Sequence, residues 1–408
     1  MPDQERTPKT SALNALAPLD IAFVTTRFGH QFGGAEAYGV ELMRELSKRH
    51  RITVIGYEYD PHSALKLSFI PVHINNRLPS WIRSYLFAKK VSQILKQHSF
   101  QIVHSHVGGW CGDVDVLHVR SAYYRWFVAP KLIKRLANYL SPRAQIYRWL
   151  EKRRIHLEPR RCTVMVSEQI KKQIQSVYKT QFDFPVIPPG VHIPLENADL
   201  RKRTRERLGV LEGDLLCLLV ALNPERKGLN TLLESLPRLP RHAKLLVVGV
   251  GEHQLSMYEQ LAISHGLKER ILFVPQTTDI SPYFQASDIY VHPTLNDSFG
   301  MAPLEAMSYS LPVIMSSSYY CGFAHYARDQ KNALLLQNPN DSAELTKALL
   351  GLINNDQLRE QLALQGKQLA QQFDWQNIAA NFEDVYANIL SNKNHAQHTK
   401  ASATAHSD

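Results

Sequence analysis

Short β-branched runs alternate with amphipathic stretches along the chain, and the alternation occurs twice. Strands that are apolar throughout are buried on both faces, and with intervening helices they indicate parallel, doubly wound sheets. We therefore expect an α/β protein with two Rossmann-like domains. Because ligands of open parallel sheets bind beyond the carboxyl ends of the strands, two such domains facing across a cleft would hold their substrates there. The predicted strands begin at Ile21, Ile52, Ile70, Ile102, Val114 and Cys162 in the first series and at Leu215, Lys244, Ile271, Ile289, Pro312 and Ala333 in the second.

The prolines and the glycine of "FPVIPPGVHIPLENADL" interrupt regular structure and mark a linker at residues 190–200. This boundary predicts a first domain over residues 19–190 and a second over residues 191–375. Residues 391–408 are polar and lack periodicity, so we expect a disordered tail there.

The N-terminal residues lack the apolar core of a signal peptide, and the longest apolar run, "LLCLLVAL", is too short to span a bilayer. A soluble, non-exported chain is therefore expected. The cysteines show no CxxC spacing, so neither a disulfide framework nor a structural zinc site is predicted, and a reducing cytosol fits. The four cysteines are Cys111, Cys162, Cys217 and Cys321.

A formal net charge of +10 calls for an acidic partner: nucleic acid, an anionic membrane or a phosphorylated substrate. Basic residues mixed with aromatics occupy residues 120–161, the basic-aromatic segment. They recur in "RLPSWIRSYLFAKKVSQILK", which contains Trp81, Tyr85 and Phe87. Such mixtures suit the headgroup region of an anionic membrane, where each nearby cation contributes about 1 kcal/mol. The alternative is a solvated helix face with ordinary core aromatics. The aromatics of the basic-aromatic segment are Tyr123, Tyr124, Trp126, Phe127, Tyr139, Tyr147 and Trp149.

Two acids, Asp297 and Glu305, lie eight positions apart in "HPTLNDSFGMAPLEAMSYSLPVI", where a strand-like run passes through a loop into a helix. On one continuous helix they would be about 80° apart, so we expect them to do separate jobs. Between them, the free N–H groups of the first turn, from about Ser298 to Ala302, favour an anion. The arrangement indicates a ligand that is phosphorylated and rich in hydroxyl groups. The alternative is that Asp297 caps the helix and Glu305 is solvated.

Two loops at strand ends add further candidates. Gly33 and Gly34 follow the first strand, where glycine lets backbone approach a ligand closely. Neither this loop nor "VVGVGEHQ" completes the dinucleotide pattern G-x-G-x-x-G. In the second domain, Arg226 and Lys227 occupy the corresponding loop and can reach toward a phosphate at the same edge of the sheet as Phe299.

Three histidines fall at or near strand ends of the first domain: His104, His106 and His118. A histidine at the mouth of a cleft can hydrogen-bond a sugar or a reacting group, whereas a histidine within a strand is commonly a satisfied core residue. Spacing alone leaves both interpretations open.

Several of these stretches resemble one family. "NPERKG", "SDIYVHPTLNDSFGMAPLEAMSYSLPVI", "CGFAHYARDQKNALLL", "GGAE", "VIPPGV" and "FDWQNIAANFEDVYANIL" are similar to the retaining, nucleotide-sugar-dependent glycosyltransferase family 4. "PPG", "RKG" and "CGFAHY" resemble its lipopolysaccharide core glucosyltransferases. The resemblance covers nearly the whole chain except the ends and the basic middle. It implies the GT-B fold and a helix over residues 376–390 that crosses back to the first domain.

The resemblance also assigns roles in donor binding. Glu305 would hold the ribose hydroxyls, and Asp297 would stand near the transferred sugar, where the family usually has the longer glutamate. The amides around Ser298, Phe299, Gly300 and Met301 would meet the diphosphate.

Four further donor contacts follow from the same resemblance. Arg226 and Lys227 would neutralise the diphosphate oxygens, since positive charge stabilises a departing nucleoside diphosphate. Gly33 and Gly34 would let the first domain close over the phosphates.

The catalytic assignments are His118, which matches the family's cleft histidine, and Asp297. His106 and Arg120 are second candidates for contacts with the sugar or the acceptor. Retention would proceed by front-face attack, with the leaving phosphate assisting deprotonation, so no protein nucleophile is required.

The implied function is a retaining hexosyltransferase that moves glucose from UDP-glucose onto a lipopolysaccharide core or similar cell-envelope glycan. It would be cytoplasmic and peripherally bound to the inner face of the cytoplasmic membrane. Its partners would be the nucleotide sugar, the lipid-linked glycan and the anionic membrane surface, with no nucleic acid, no cofactor and no metal.

Three alternatives stay open at the level of sequence. A member of the same family could use another donor or acceptor, such as GDP-mannose or an exopolysaccharide. A nucleotide-dependent oxidoreductase or epimerase is disfavoured by the missing G-x-G-x-x-G. A nucleic-acid-binding protein is suggested by charge alone.

Overall fold

The computed structural model of the protein describes residues 17–60, 65, 67–108, 112–118, 121–158 and 160–404. The chain divides into two compact units. Unit 1 comprises residues 1–190 and 375–408, and unit 2 comprises residues 191–374. The division therefore falls at the proline-rich linker and again just before Trp375.

Unit 1 is built on a parallel sheet in the order β5-β3-β1-β6-β7-β8, with a separate two-stranded pair of β2 and β4. The apolar run of β1 explains its central place: Ile21 and Phe23 pack into one buried cluster, while Ala22 and Val24 pack into another. The strands are β1 Asp20–Thr25, β2 Arg27–Phe28, β3 Arg51–Gly56, β4 Glu58–Tyr59, β5 Ser68–Pro71, β6 Ile102–Val107, β7 Val114–Leu117 and β8 Cys162–Met165. The helices are α1 Gly34–Leu46, α2 Ser80–Gln97, α3 Leu132–Leu140, α4 Pro142–Arg154 and α5 Glu168–Tyr178.

Unit 2 repeats the architecture with a parallel sheet in the order β11-β10-β9-β12-β13-β14. In β9, Cys217 and Leu219 enter one buried cluster, and Leu216 and Leu218 enter the other. The strands are β9 Leu215–Val220, β10 Ala243–Val250, β11 Ile271–Pro275, β12 Ile289–His292, β13 Val313–Ser316 and β14 Leu334–Leu336. The helices are α6 Ala198–Leu208, α7 Leu229–Ser235, α8 Leu255–Ser264, α9 Ser281–Ala286, α10 Met301–Ser308, α11 Ser342–Ile353 and α12 Asp356–Gln371.

Both sheets reverse their strand order beside the first strand, between β1 and β6 in unit 1 and between β9 and β12 in unit 2. Loops that leave the carboxyl ends of the strands at such a switch point form the ligand sites of open parallel sheets. The prediction of two Rossmann-like parallel-sheet domains is confirmed.

The final helix, α13 Trp375–Thr404, belongs to unit 1. Trp375, Phe382 and Tyr386 lie in the core of that unit. Glu383 is buried and accepts hydrogen bonds from the Arg49 guanidinium at 2.7 Å and from His50 Nε2 at 3.0 Å. Apolar packing and the hydrogen-bonded, buried Glu383 together attach α13 to the rest of unit 1.

The expected disordered tail is wrong as far as Thr404, because α13 continues without a break through residues 391–404. That stretch contains neither proline nor glycine to end a helix. Lys393 also holds the extension in place by pairing with Asp113 at 2.8 Å. Residues 405–408 lie outside the described part. Among the helices described, α13 included, none combines the length and the apolar character needed to cross a membrane.

Candidate active site

In unit 2, the loops after β9 and β12 are brought into contact by a glycine. Gly228 has φ 87°, and a Cβ atom there would lie 2.0 Å from the Pro293 carbonyl oxygen, so no other residue fits. The Leu295 amide donates to the Arg226 carbonyl oxygen at 2.9 Å. The basic pair predicted from sequence therefore lies against the loop that carries Asp297.

Asp297 receives two donors on a single oxygen. The Lys227 ammonium pairs with Asp297 Oδ2, and His292 Nε2 lies 3.2 Å from the same atom. An ionised carboxylate can only accept, so the neutral His292 carries its proton on Nε2 and points it at Asp297. Its Nδ1, which lies 3.2 Å from Tyr290 OH, then accepts from that hydroxyl. Both partners thus orient the carboxylate.

The electrostatics keep this carboxylate charged and the imidazole neutral. Burial favours the protonated acid, but the hydrogen bond from His292 and the charge of Lys227 outweigh it and hold the pKa of Asp297 below its usual range. Burial lowers the pKa of His292, although Asp297 opposes the shift. An anionic Asp297 is therefore available to accept a hydrogen bond from a ligand hydroxyl.

Helix α10 begins directly beside this carboxylate. Gly300 precedes its first residue with φ 96°, and a Cβ atom there would lie 2.6 Å from Cys321 Sγ and 3.8 Å from Asp297 Oδ2. No side chain caps the helix. The alternative in which Asp297 is the cap is thereby excluded, and the free amides from Met301 onward face the region of Lys227 and Asp297.

A second loop holds the start of α10 in place. The Asp297 amide donates to the Tyr320 carbonyl at 2.7 Å, and the Gly322 amide donates to the Asp297 carbonyl at 3.1 Å. A Cβ atom at Gly322 would lie 2.2 Å from the Ser298 carbonyl oxygen. Phe299 is buried and packs in the core of unit 2.

Glu305 lies four residues after Met301, and therefore on the same face of α10 as the helix start. It is only partly exposed. Burial raises its pKa to about 7. The alternative of a freely solvated helical residue does not describe it.

In unit 1, the structure brings His106 and His118 together. His106 Nε2 lies 2.7 Å from the Ala35 carbonyl oxygen, and His118 Nε2 lies 3.3 Å from His106 Nδ1. Tyr38 stacks on His106 and meets His118 edge-on. His104 instead points into the core, where Nδ1 lies 2.7 Å from Tyr386 OH.

The hydrogen bonds define the tautomers of the pair. A carbonyl can only accept, so His106 carries its proton on Nε2 and accepts from His118 Nε2–H through Nδ1. Burial lowers the pKa of His106 to about 3 and also lowers that of His118, so both are neutral. Nδ1 of His118 is therefore left as an acceptor, suited to a hydroxyl donor rather than to removing a proton at neutral pH.

The predicted glycine loop lies at the N-terminus of α1. Gly33, with φ 143°, precedes the helix, and a Cβ atom at Gly34 would meet nothing within 4 Å, so the loop is open to a ligand. Gly39 was not predicted as important. A Cβ atom there would lie 2.9 Å from the Phe23 ring and 3.1 Å from the His106 ring, so any side chain at this position would displace one or both rings.

Two further predictions concern Arg120 and the absence of a metal. Arg120 lies outside the described residues. In the described part of the chain, no three His, Cys, Asp or Glu side chains are grouped as a metal site would require. Independence from metal stays a prediction.

Helix α3, within the basic-aromatic segment, has an inverted amphipathic arrangement. Leu132, Ile133 and Leu140 are 71%, 84% and 86% exposed, while the polar Asn138 is buried and donates to the Trp126 carbonyl at 2.7 Å. At about 100° per residue the exposed apolar side chains share one face.

Two aromatic residues of the basic segments differ from the expectation. Phe87 and Phe127 are buried in unit 1 and do not face solvent. The Arg148 guanidinium covers the Phe127 ring at 5.5 Å, and Arg143 covers the Trp126 ring at 5.4 Å. The aromatic side chains of these segments that are exposed include Tyr85, Tyr124 and Tyr139, and Tyr139 lies on α3 beside its exposed aliphatic side chains.

Comparison with known proteins defines the class of the molecule. Residues 201–369 match the family Glycosyl transferases group 1, and residues 32–193 match Glycosyltransferase Family 4. Together with two parallel-sheet domains, these matches define a glycosyltransferase of the GT-B fold. The chain belongs to the group 1 glycosyltransferases, as the resemblance of its motifs predicted.

Individual relatives extend over most of the chain. The lipopolysaccharide glucosyltransferase WaaG of Escherichia coli K12 is 24% identical over 382 residues, which cover 90% of this chain and 98% of WaaG. A crystal structure of WaaG superposes with a TM-score of 0.73 at 22% identity, covering 90% of this chain and 99% of that one. Anabaena HepE, solved with UDP and glucose, gives a TM-score of 0.70 at 18% identity, with 90% and 99% covered.

Proposed function

We propose that the protein transfers glucose from UDP-glucose, with retention, onto a lipopolysaccharide core or similar cell-envelope glycan. The observation that carries the proposal is the meeting of Lys227, Asp297 and the uncapped start of α10 at the switch point of unit 2. A cation and free amides suit a diphosphate, and the flanking carboxylates suit hydroxyl groups.

The first half of the reaction is the departure of the diphosphate. As the bond between the sugar carbon and the phosphate oxygen breaks, negative charge accumulates on the diphosphate. Lys227, the exposed Arg226 and the amides after Gly300 stabilise that charge where it develops. Glu305 accepts from the ribose hydroxyls, and Asp297 accepts from a hydroxyl of the transferred sugar.

The second half of the reaction concerns the acceptor. Its hydroxyl oxygen bonds to the sugar carbon on the face that the diphosphate leaves, and its proton passes to a diphosphate oxygen. Because His118 is neutral, its Nδ1 orients a substrate hydroxyl and does not take the proton. No metal takes part, so EDTA is expected to leave the rate unchanged.

The choice of donor and acceptor rests on relatives. WaaG is named a lipopolysaccharide glucosyltransferase, and HepE has been solved with UDP-glucose. The Rhizobium meliloti glycosyltransferase LpsE, named for lipopolysaccharide core biosynthesis, is 29% identical over 170 residues, covering 41% of this chain and 47% of LpsE.

Helix α3 supports the proposed location at the membrane surface. Its exposed aliphatic face lies beside Lys131, Lys134 and Arg135, which are cations that an anionic bilayer attracts. A helix that buries asparagine and exposes leucines gains free energy when that face enters the headgroup region. Peripheral binding to the inner face of the cytoplasmic membrane brings the enzyme to a lipid-linked acceptor.

The donor is tested by a thermal-shift screen of UDP-glucose, UDP-galactose, GDP-mannose and the free nucleotides. UDP-glucose at about 100 times its Kd should stabilise the folded protein by about 2.7 kcal/mol. Transfer of labelled glucose to purified core glycan, with and without EDTA, then tests the reaction. A shift with GDP-mannose and none with UDP-glucose would refute the donor.

A further inference from the structure

Two residues of the last turn of α4 form hydrogen bonds with the chain before and after His118. Glu151 and Arg154 lie three positions apart and so share a helix face. Lys152 and Arg153, between them, are exposed, whereas Glu151 and Arg154 are partly buried. The sequence pattern gave no reason to separate these four residues.

Arg154 joins two strands where their ladder ends. The pairing of β6 with β7 is confined to His104 with Val114 and Ser105 with Asp115. Beyond it, Arg154 Nη2 donates to the Val116 carbonyl at 2.6 Å and to the His106 carbonyl at 3.1 Å. The guanidinium thus replaces the missing ladder bonds at the level of the two site histidines.

A buried carboxylate fixes the guanidinium itself. Asp115 is fully buried, lies 3.3 Å from Arg154 Nε through Oδ1, and lies 2.7 Å from His156 Nε2 through Oδ2. A planar fork of donors can bridge two carbonyls and this carboxylate at once, which a lysine ammonium cannot do with the same geometry.

Glu151 acts on the other side of His118. Its carboxylate accepts from Ser121 Oγ at 2.8 Å, from Tyr178 OH at 2.8 Å and from the amides of Ala122 and Tyr123. One side chain therefore anchors the start of the helical turn that follows the site histidine.

We propose that Arg154 and Glu151 are positioning residues that set the orientation of His118. Arg154 holds Val116, two residues before the histidine, and Glu151 holds Ser121, three residues after it. Both side chains come from one turn of α4. The backbone before His118 and the backbone after it are therefore fixed to the same helix. The link to catalysis rests on the function proposed above.

The test compares Arg154→Lys with Arg205→Lys. Arg205 is a matched control: it is buried in unit 2, donates to the carbonyls of Ala286, Leu211 and Asp214, and pairs with Asp288 at 3.1 Å. Its partners Asp214 and Asp288 precede β9 and β12, at the sheet edge away from the site. Both variants lose a buried network of the same kind.

Two readouts separate positioning from bulk stability. The imidazole resonances of His118, assigned with His118→Gln, should shift in Arg154→Lys and stay in place in Arg205→Lys. The kcat should fall about 10- to 100-fold in Arg154→Lys, because a misplaced contact group costs about that much. The Kd for UDP, measured by calorimetry, should remain unchanged in both variants.

The outcomes distinguish this proposal from the proposed function. If the wild-type protein has no transferase activity but Arg154→Lys shifts the His118 resonances, positioning is supported and the proposed function is refuted. Active Arg154→Lys with wild-type kcat and unshifted resonances would refute positioning alone. If Arg154→Lys does not fold, Glu151→Gln is read in the same way: a His118 shift with unchanged UDP affinity supports the proposal, and unshifted resonances overturn it.

Discussion

Lys227 and Asp297 form a charged pair whose members come from the ends of different strands. Both side chains are mostly buried, and Asp297 keeps His292 as a second donor when Lys227 turns to another anion. The lysine is therefore free to transfer its charge to a diphosphate without leaving the aspartate unpaired. Such an exchange suits a site that stabilises a departing anion.

Replacing Lys227 with methionine should lower kcat/KM about 100- to 1,000-fold, because one preorganised donor to a developing anion is worth about that much. The matched control is Lys244→Met. Lys244 pairs with Asp214 at 2.7 Å in the same unit, with comparable burial. Steady-state kinetics of both variants check the prediction, and equal losses of activity would show that the Lys227 charge has no special role.

Glu305 makes the stability of unit 2 depend on pH. Burial raises its pKa to about 7 from 4.5, so between these values the folded state binds more protons than the unfolded state. Stability should therefore fall as pH rises through this window, by at most about 3 kcal/mol, which residual solvent exposure reduces. Glu305→Gln should remove that slope. Denaturant unfolding of the wild type and of Glu305→Gln at pH 5 and pH 8 measures the change in the free energy of unfolding. An equal change in both proteins would show that Glu305 is not the source of the pH dependence.

At the scale of the element, α3 is the helix whose sequence and environment disagree most. A helix of a globular protein normally turns its apolar stripe to the core. Here the buried side is held by Asn138 and its bond to the Trp126 carbonyl, and the leucines face outward. The membrane contact proposed for α3 rests on this exposed apolar face.

Leu136→Asp on α3 should weaken binding to vesicles that contain anionic lipid, since it places a negative charge in the apolar face. Leu364→Asp on α12 is the control, because Leu136 and Leu364 are 60% and 57% exposed. Cosedimentation with vesicles at low and physiological salt measures the effect. If both variants bind like the wild type, α3 is not the membrane contact.

At the scale of the whole molecule, the two units differ in how the chain builds them. Both buried clusters of unit 2 draw their members from residues 191–374 alone. The main cluster of unit 1 needs both ends of the chain, because Trp375, Phe382 and Tyr386 complete it. Unit 2 is therefore formed by one continuous stretch of the chain, whereas unit 1 is formed by two separate stretches.

A fragment of residues 191–374 should fold and bind UDP without unit 1. Its core is complete, and Lys227, the start of α10 and Glu305 all lie within it. Calorimetric titration with UDP tests the fragment, with Lys227→Met in the same fragment as its control. An unfolded fragment would show that unit 2 needs unit 1 to fold. A folded fragment with no measurable heat would show that unit 1 contributes to nucleotide binding.

Several site residues illustrate the reach of sequence patterns. The loops of Lys227 and Asp297 follow apolar runs that predict neighbouring strands, so their meeting at one sheet edge was foreseeable. His292 was not singled out, although it ends a strand and lies five positions before Asp297. Gly228 and Gly322 were missed because nothing local shows which carbonyl will approach them. Membrane binding by the basic-aromatic segment stays a prediction. Local composition could not show that Phe87 and Phe127 are buried, because it does not record which rings the fold covers.

Local sequence patterns predict the two parallel sheets and the strands that form them, because burial on both faces requires an apolar run that can be recognised within a few residues. It also carried the motifs that identify the family. Three features needed the folded chain: the sharing of one Asp297 oxygen by Lys227 and His292, the tautomers of His106 and His118, and the outward face of α3. These depend on which distant backbone segments the strand order brings together, and no local periodicity records that.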